Sequence, residues 1–384
     1  MAGPRDADAL AELAEAEEAV ALAQELVRTP SVVGEEGELA RLLRARMEGM
    51  GFDRVFEQEV EPGRPNVIGV ADSGRAGPTL VLTGHIDTKP VCKGWDSDPY
   101  SGRIEAGVAA LVAAGAAMAR ARSTWAGTVL VAAVVDHMGQ QRGAIRFFQE
   151  QRGDYCILGE LTDLKIYLGH RGRLYWTITS TGRSAHTCHR DQAVNAIAKM
   201  VPLIEEIERL RWMPDVPDEI AELFGSELYM AVGRIWGGLP PGGPSMIPDD
   251  CTILIDSRPH PGIEPEQVET VLRQAMDRAQ ARDPEARYDL ELVDRKAPHL
   301  IERDHLLVRT LAEAYRAVVG SEPEYGGGSW LADTASTGHL LPTVIFGPGR
   351  EPVYMPNEWL AVEDIHLAAR VYTVTAGRLL AGDD

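Results

Sequence analysis

One run of the chain restricts its fold more than any other: Leu80-Val81-Leu82-Thr83-Gly84-His85-Ile86-Asp87-Thr88. An apolar, β-branched stretch of strand length closes on a glycine, and a histidine and an aspartate follow two residues apart. Side chains alternate along a strand, so residues i and i+2 share a face. His85 and Asp87 therefore point the same way from a strand end. A metal-binding histidine commonly donates its second ring N–H to a carboxylate, which fixes its tautomer. A Gly-His-x-Asp strand end can supply such a pair. A capped strand with a surface histidine has the same spacing, so the rest of the chain has to decide.

Residues 8–27 have helical spacing in Ala, Glu and Leu, and 31–51 reads as a second helix with early acidic residues and glycines at its stop. Strands are predicted at 53–58, 66–70 and 79–83, then an alanine-rich helix at 107–122. A buried strand at 127–135 runs into Asp136-His137-Met138-Gly139; a helix at 143–152 and a strand at 155–159 follow, the strand ending at Glu160. Strands alternating with helices predict an α/β sheet whose chemistry lies at the carboxyl ends of its strands.

After about Gly172 the pattern changes. A strand at 173–181 precedes the turn Gly182-Arg183-Ser184-Ala185-His186, and a long amphipathic helix covers 193–210. Strands at 251–257 and 288–292 bracket a helix at 264–282, which makes a small two-layer α+β module. A helix at 305–319 and a strand at 342–346 resume the larger domain. The predicted division is a catalytic-type α/β domain of residues 1–172 and 290–384, with a lid or dimerisation domain of residues 173–289 inserted in it.

The 384 residues suit two domains. No run approaches the ~18 apolar residues of a membrane span. The N-terminus has no basic-then-apolar signal pattern. Cys92, Cys156, Cys188 and Cys251 are widely spread without a Cys-x-x-Cys pair, which argues against a zinc knuckle or a disulfide framework and for a reducing cytoplasm. The net charge of −20 repels phosphate backbones and anionic lipid, so neither nucleic acid nor membrane is an expected partner.

The order of these elements, with their motifs, resembles the M20 family of metallopeptidases and amidohydrolases. The resemblance runs nearly end to end. It rests on Arg64-Pro65-Asn66-Val67, on Gly84-His85-Ile86-Asp87-Thr88 before Trp95-x-x-Asp98-Pro99-Tyr100, and on Gly159-Glu160-Leu161-Thr162. Gly182-Arg183-Ser184-Ala185-His186 with Asn195-Ala196, Asp256-Ser257-Arg258, and Phe346-Gly347-Pro348-Gly349 before Pro356-Asn357-Glu358 complete it. It implies the two-domain architecture with a mixed-sheet catalytic domain and a lid through which such chains commonly dimerise.

The family holds a pair of zinc ions on a shared carboxylate, and a glutamate beside them acts as general base. Carried over residue by residue, the resemblance keeps His85 and Glu160 at ligand positions and Asp87 as the orienting partner. The segment that carries the bridging aspartate is missing where Gly102-Arg103-Ile104-Glu105 runs into Ala106-Gly107-Val108. The paired glutamates align with His137 and Met138, and the last histidine ligand with Tyr354. Catalytic zinc normally has three protein ligands, so two retained positions predict no bound metal and no cofactor.

The sequence then favours metal-independent acid–base chemistry, such as cyclisation or displacement by an amine, on a small carboxylate-bearing amino-acid derivative of the kind handled in specialised metabolism. His137 stands as base, with His85, Asp87 and Glu160 as partners and with Asp136 as another carboxylate near it. His186, Arg258, Trp330, Asp333 and Tyr354 are candidate substrate contacts. A non-catalytic partner subunit and a zinc amidohydrolase with atypical ligands are the alternatives, and a homodimer or heteromer through the lid is the expected assembly.

Overall fold

The computed structural model of the chain describes residues 7–101, 107–238, 245–350 and 355–381. Two compact units divide the chain. One combines Met1–Gly169, Leu300–Gly327 and Ala332–Asp384; the other combines His170–His299 with Gly328–Leu331.

The first unit is built on a mixed sheet, as the α/β reading predicts. Its strands are β1 (Arg54–Glu61), β2 (Arg64–Asp72), β3 (Thr79–His85), β4 (Thr128–Val134) and β5 (Tyr155–Leu158), joined late in the chain by Thr343–Ile345. They lie in the order β1-β2-β4-β3-β5 and then Thr343–Ile345. β2 is antiparallel to β1 and β4, whereas β3 is parallel to both β4 and β5. The carboxyl ends of β4, β3 and β5 are consequently neighbours, and the chain leaves them at Val135, Ile86 and Gly159.

Burial explains the sequence of these strands. Leu80, Val81 and Leu82 are all fully buried, so β3 is a continuous apolar run rather than an alternating one. The helix Gly107–Arg120 is buried from Val108 to Ala119 and packs on β3 and on the helix Val362–Leu379. Alanine along its length allows that close approach. Its Leu111 fills the space above two strand-end glycines: a Cβ on Gly84 would lie 3.0 Å from Leu111 Cδ1, and one on Gly159 would lie 2.7 Å from it.

Two helix boundaries differ from the sequence reading. The first helix is two pieces, Ala7–Glu12 and Ala16–Arg28, and the next spans Gly37–Gly49 rather than starting at Ser31. Ser31 has another task. Its hydroxyl donates to Ile86 O at 2.8 Å, and its own carbonyl accepts from Thr88 N–H at 2.8 Å, which braces the turn that carries His85 and Asp87.

The second unit is a four-stranded antiparallel sheet in the order Tyr288–Lys296, Arg173–Thr181, Asp250–Arg258, Tyr229–Gly237. The helices Ala196–Glu208 and Pro265–Arg282 contribute Met200, Leu203, Val268 and Leu272 to a core shared with Trp176, Ile178, Ile253 and Ile255. The strand Tyr229–Gly237 and the short helix Asp218–Phe224 were not legible in sequence. That strand lies at the sheet edge and most of it is exposed, so it lacks the alternation that marks a half-buried strand. Among the described residues, no helix is long and apolar enough to cross a membrane.

Candidate metal centre

The three neighbouring strand ends of the first unit deliver His85, His137 and Glu160 to one place. His85 is the last residue of β3, His137 lies three residues beyond β4, and Glu160 two beyond β5. Backbone bonds hold the ends together: Ile86 N–H donates to Val134 O at 2.9 Å and Gly159 N–H to Thr83 O at 2.7 Å. Val135 N–H donates to Asn66 Oδ1 at 3.1 Å, so the Pro-Asn motif on β2 fixes the start of the His137 segment.

Asp136 turns that segment. It adopts a left-handed conformation, φ 68°, which aspartate tolerates better than most residues. Its buried carboxylate accepts from Arg142 Nε at 2.7 Å and from Arg64 Nη2 at 3.1 Å. These cations and neighbouring backbone N–H groups overcome the cost of burial and hold its pKa far below the usual carboxylate range. Asp136 is thus a structural anion, and the carboxylate that meets His137 is a different one.

That carboxylate is Asp333. His137 Nδ1 donates to Asp333 Oδ1 at 2.9 Å, and Asp333 itself is buried. Burial alone would lower the pKa of His137. The charge and hydrogen bond of Asp333, with Glu160 and Asp87 nearby, outweigh it and raise the imidazole to about 10. The site is arranged to hold positive charge. Sequence placed Asp333 among substrate contacts; only the tertiary fold shows it against a residue 196 positions away.

Asp87 also acts differently from expectation. His85 Nδ1 donates to the backbone carbonyl of Asp87 at 2.9 Å, while the Asp87 carboxylate lies 3.8 Å from that nitrogen. The carboxylate instead accepts two backbone N–H groups, from His137 at 3.0 Å and Met138 at 2.8 Å. Asp87 thereby ties the end of β3 to the segment after β4.

The two rings stack, with centroids 4.2 Å apart and planes 9° from parallel. Glu160 lies beside both: its Oε2 is 3.9 Å from His85 Nε2 and its Oε1 is 4.0 Å from His137 Nδ1. Burial raises the pKa of Glu160, opposed by the two histidines. Its Oε1 is buried and has no hydrogen-bond partner.

This geometry corrects the expectation that no metal is bound. One ligand atom each from His85, His137 and Glu160 lie within 4.8 Å of one another. The ligand count from sequence stopped at His85 and Glu160 because it assigned His137 to the base position; in space His137 is the third member. Two imidazoles and a carboxylate are a donor set that catalytic zinc uses. The orphaned Glu160 Oε1 is the kind of buried acceptor a cation satisfies.

Of the remaining candidates, His186, Arg258 and Trp330 belong to the second unit. His186 is exposed, pairs in register with Met246 and accepts from Cys188 N–H at 3.2 Å. Arg258 Nη2 donates to Asp256 Oδ2 at 2.9 Å. Tyr354 and Glu105 lie outside the described residues.

Comparison with known proteins bears on family and fold. Residues 168–284 match the model of a peptidase dimerisation domain of the M20 type. A succinyl-diaminopimelate desuccinylase from Methylobacterium radiotolerans is 27% identical over 94% of this chain and 96% of its own. The chain carries a segment of the M20 peptidase type.

An acetylornithine deacetylase from Vibrio vulnificus is 28% identical over 82% of this chain and 84% of its own length. A Staphylococcus aureus tripeptidase structure superposes with a TM-score of 0.73 at 18% identity, covering 96% of this chain and 99% of its own. A Bacillus subtilis M20 structure described as a dinuclear metal-binding peptidase gives 0.68 at 15% identity, covering 97% and 99%. These structural likenesses bear on the fold. The activities these proteins are named for are hydrolytic, and they lend no support to a metal-independent cyclisation.

Proposed function

We propose that this protein hydrolyses an amide bond in a small N-acylated amino acid or short peptide, using one divalent metal held by His85, His137 and Glu160. The observation that carries the reading is the convergence of those three side chains around a buried, unpartnered carboxylate oxygen. When bound, such a metal lowers the pKa of a water ligand and polarises the scissile carbonyl.

The chain's own residues do the positioning. Asp87 fixes the backbone of His137 and Met138 through both carboxylate oxygens. The backbone carbonyl of Asp87 engages His85 Nδ1, which leaves His85 Nε2, 3.9 Å from Glu160 Oε2, for a cation, and the Asp333 carboxylate holds the ring of His137 at Nδ1. Glu160 brings the negative charge that a divalent ion requires. His186 and Arg258 remain candidate contacts for a substrate carboxylate, and the dimerisation-domain match supports a homodimer.

The test is metal content, measured on protein purified without chelator or added metal, followed by assay on N-succinyl, N-acetyl and dipeptide substrates. About one equivalent of a divalent metal per chain, with hydrolysis lost on chelation and restored by zinc, manganese or cobalt, is the expected result. Protein that takes up no divalent metal, even from millimolar solution, overturns the reading.

A further inference from the structure

We propose that the second unit holds a binding site for a small monovalent anion, a halide or a small carboxylate, at the buried guanidinium of Arg171. This site is independent of the metal-dependent reading above.

Arg171 stands between the strands Ile166–His170 and Arg173–Thr181, and its side chain is fully buried. Nη2 donates to the backbone carbonyl of Phe224, and the guanidinium lies over the ring of Tyr229, 4.3 Å from the centroid. Nε and Nη1 are buried and have no acceptor. Glu227, whose charge reaches Arg171, pairs instead with Arg211 at 3.4 Å. A guanidinium stays charged at physiological pH, and an unpaired charge in a protein interior is costly. Water would give the two orphaned nitrogens an acceptor. An anion gives them an acceptor and the missing charge, and one guanidinium balances one negative charge.

The surroundings set the size of the occupant. Tyr229 is 53% exposed, and a Cβ on the exposed Gly225 would lie 3.6 Å from Arg171 Nη2, so the guanidinium lies just beneath the surface. A small ion reaches it by displacement of the Tyr229 ring, whereas a larger one would have to open the helix end. His260, also fully buried, donates from Nε2 to Gly225 O at 2.8 Å, and its Nδ1 is a further buried atom without a partner. Arg171 and His260 thus hold consecutive carbonyls at the end of the helix Asp218–Phe224, where the chain turns into the strand Tyr229–Gly237. An anion on Arg171 stabilises that turn by neutralising the charge buried beneath it.

The experiment is thermal unfolding of the full chain in sodium chloride, bromide or formate, for wild type and R171M. Sodium gluconate, whose anion is too large to be enclosed, brings every sample to one ionic strength. A ligand that binds the folded state alone raises Tm with the logarithm of its concentration once its Kd is passed. Such a rise over gluconate in wild type, and none in R171M, is the expected result. A stronger effect of formate identifies a carboxylate site, and a stronger effect of the halides a halide site. Equal Tm of wild type in all four salts overturns the proposal, and so does a rise that R171M shares.

If R171M does not fold, diffraction from wild-type crystals soaked in sodium bromide or sodium formate decides. An anomalous bromide peak, or formate density, against Nε or Nη1 of Arg171 supports the site. Water alone at both nitrogens in both crystals overturns it.

Discussion

The imidazole of His137 lies flat against that of His85, ring centres 4.2 Å apart and planes 9° from parallel. Positive charge on both rings at that distance would be strongly repulsive. A single cation shared by the pair and Glu160 removes the conflict. Replacing either ring leaves two protein ligands, fewer than catalytic zinc normally has. His85→Ala and His137→Ala should each reduce bound metal from about one equivalent to under a tenth, and the double variant should be little worse than either. Elemental analysis after dialysis checks it; unchanged metal content in His137→Ala would remove His137 from the ligand set.

Asp87 joins β3 to the segment after β4 through two backbone bonds, from His137 at 3.0 Å and Met138 at 2.8 Å. Asp87→Ala strands two part-buried N–H groups, and an orphaned donor costs up to about 1–3 kcal/mol when fully buried. The variant should unfold at lower urea concentration and bind metal more weakly. Asp87→Asn keeps one acceptor and should fall between. Equal stability of wild type and Asp87→Ala would mean that the two bonds contribute nothing.

Gly347 lies against the backbone of Glu160, where a Cβ would overlap the Glu160 carbonyl oxygen and come within 3.2 Å of its nitrogen. Gly347→Ala must therefore displace Glu160 or the strand end before it. Overpacking of this kind typically costs about 1–3 kcal/mol. The expected result is a destabilised protein whose zinc affinity also falls, because the displaced group includes a ligand. Urea denaturation and chelator competition on the same preparation separate the two effects.

Glu36 is buried and accepts from Arg64 Nε and Nη2, both at 2.6 Å. Arg64 also reaches Asp136 and Glu61, which links the pair to the turn before His137. Burial would raise the Glu36 pKa, but the bonds to Arg64 and to backbone N–H groups outweigh it, and the carboxyl lies below its ordinary value of 4.5. The lowered folded pKa means that the ionised group stabilises the protein fully above about pH 4.5, and this stability is lost as pH falls through the folded value. Glu36→Gln should flatten stability against pH in that acid range. Arg64→Met, which leaves a buried carboxylate unpaired, should cost about 3–5 kcal/mol near neutral pH. An Arg64→Met protein as stable as wild type would show that the pair is dispensable.

Much of the fold was legible because the signals are local. The apolar run of β3, the alanine-rich helix behind it and the Gly-His-x-Asp strand end are consecutive residues, and periodicity reads them directly. The edge strand Tyr229–Gly237 was missed because exposure on its faces erases the alternation. The metal centre was half legible: His85 and Glu160 stand in recognisable motifs, whereas His137 replaces a residue of another type, and motif matching assigned it the role of the residue it replaced.

The amino-acid order by itself determined most of the strands and helices, and that His85, His137 and Glu160 each stand at or just past the end of a buried strand. The tertiary structure alone decided that β4, β3 and β5 are neighbours with their carboxyl ends together, so that three scattered side chains come within 4.8 Å. It also decided that Asp333 meets His137. Strand order and the docking of a distant loop depend on contacts between residues far apart in the chain, and no local spacing encodes them.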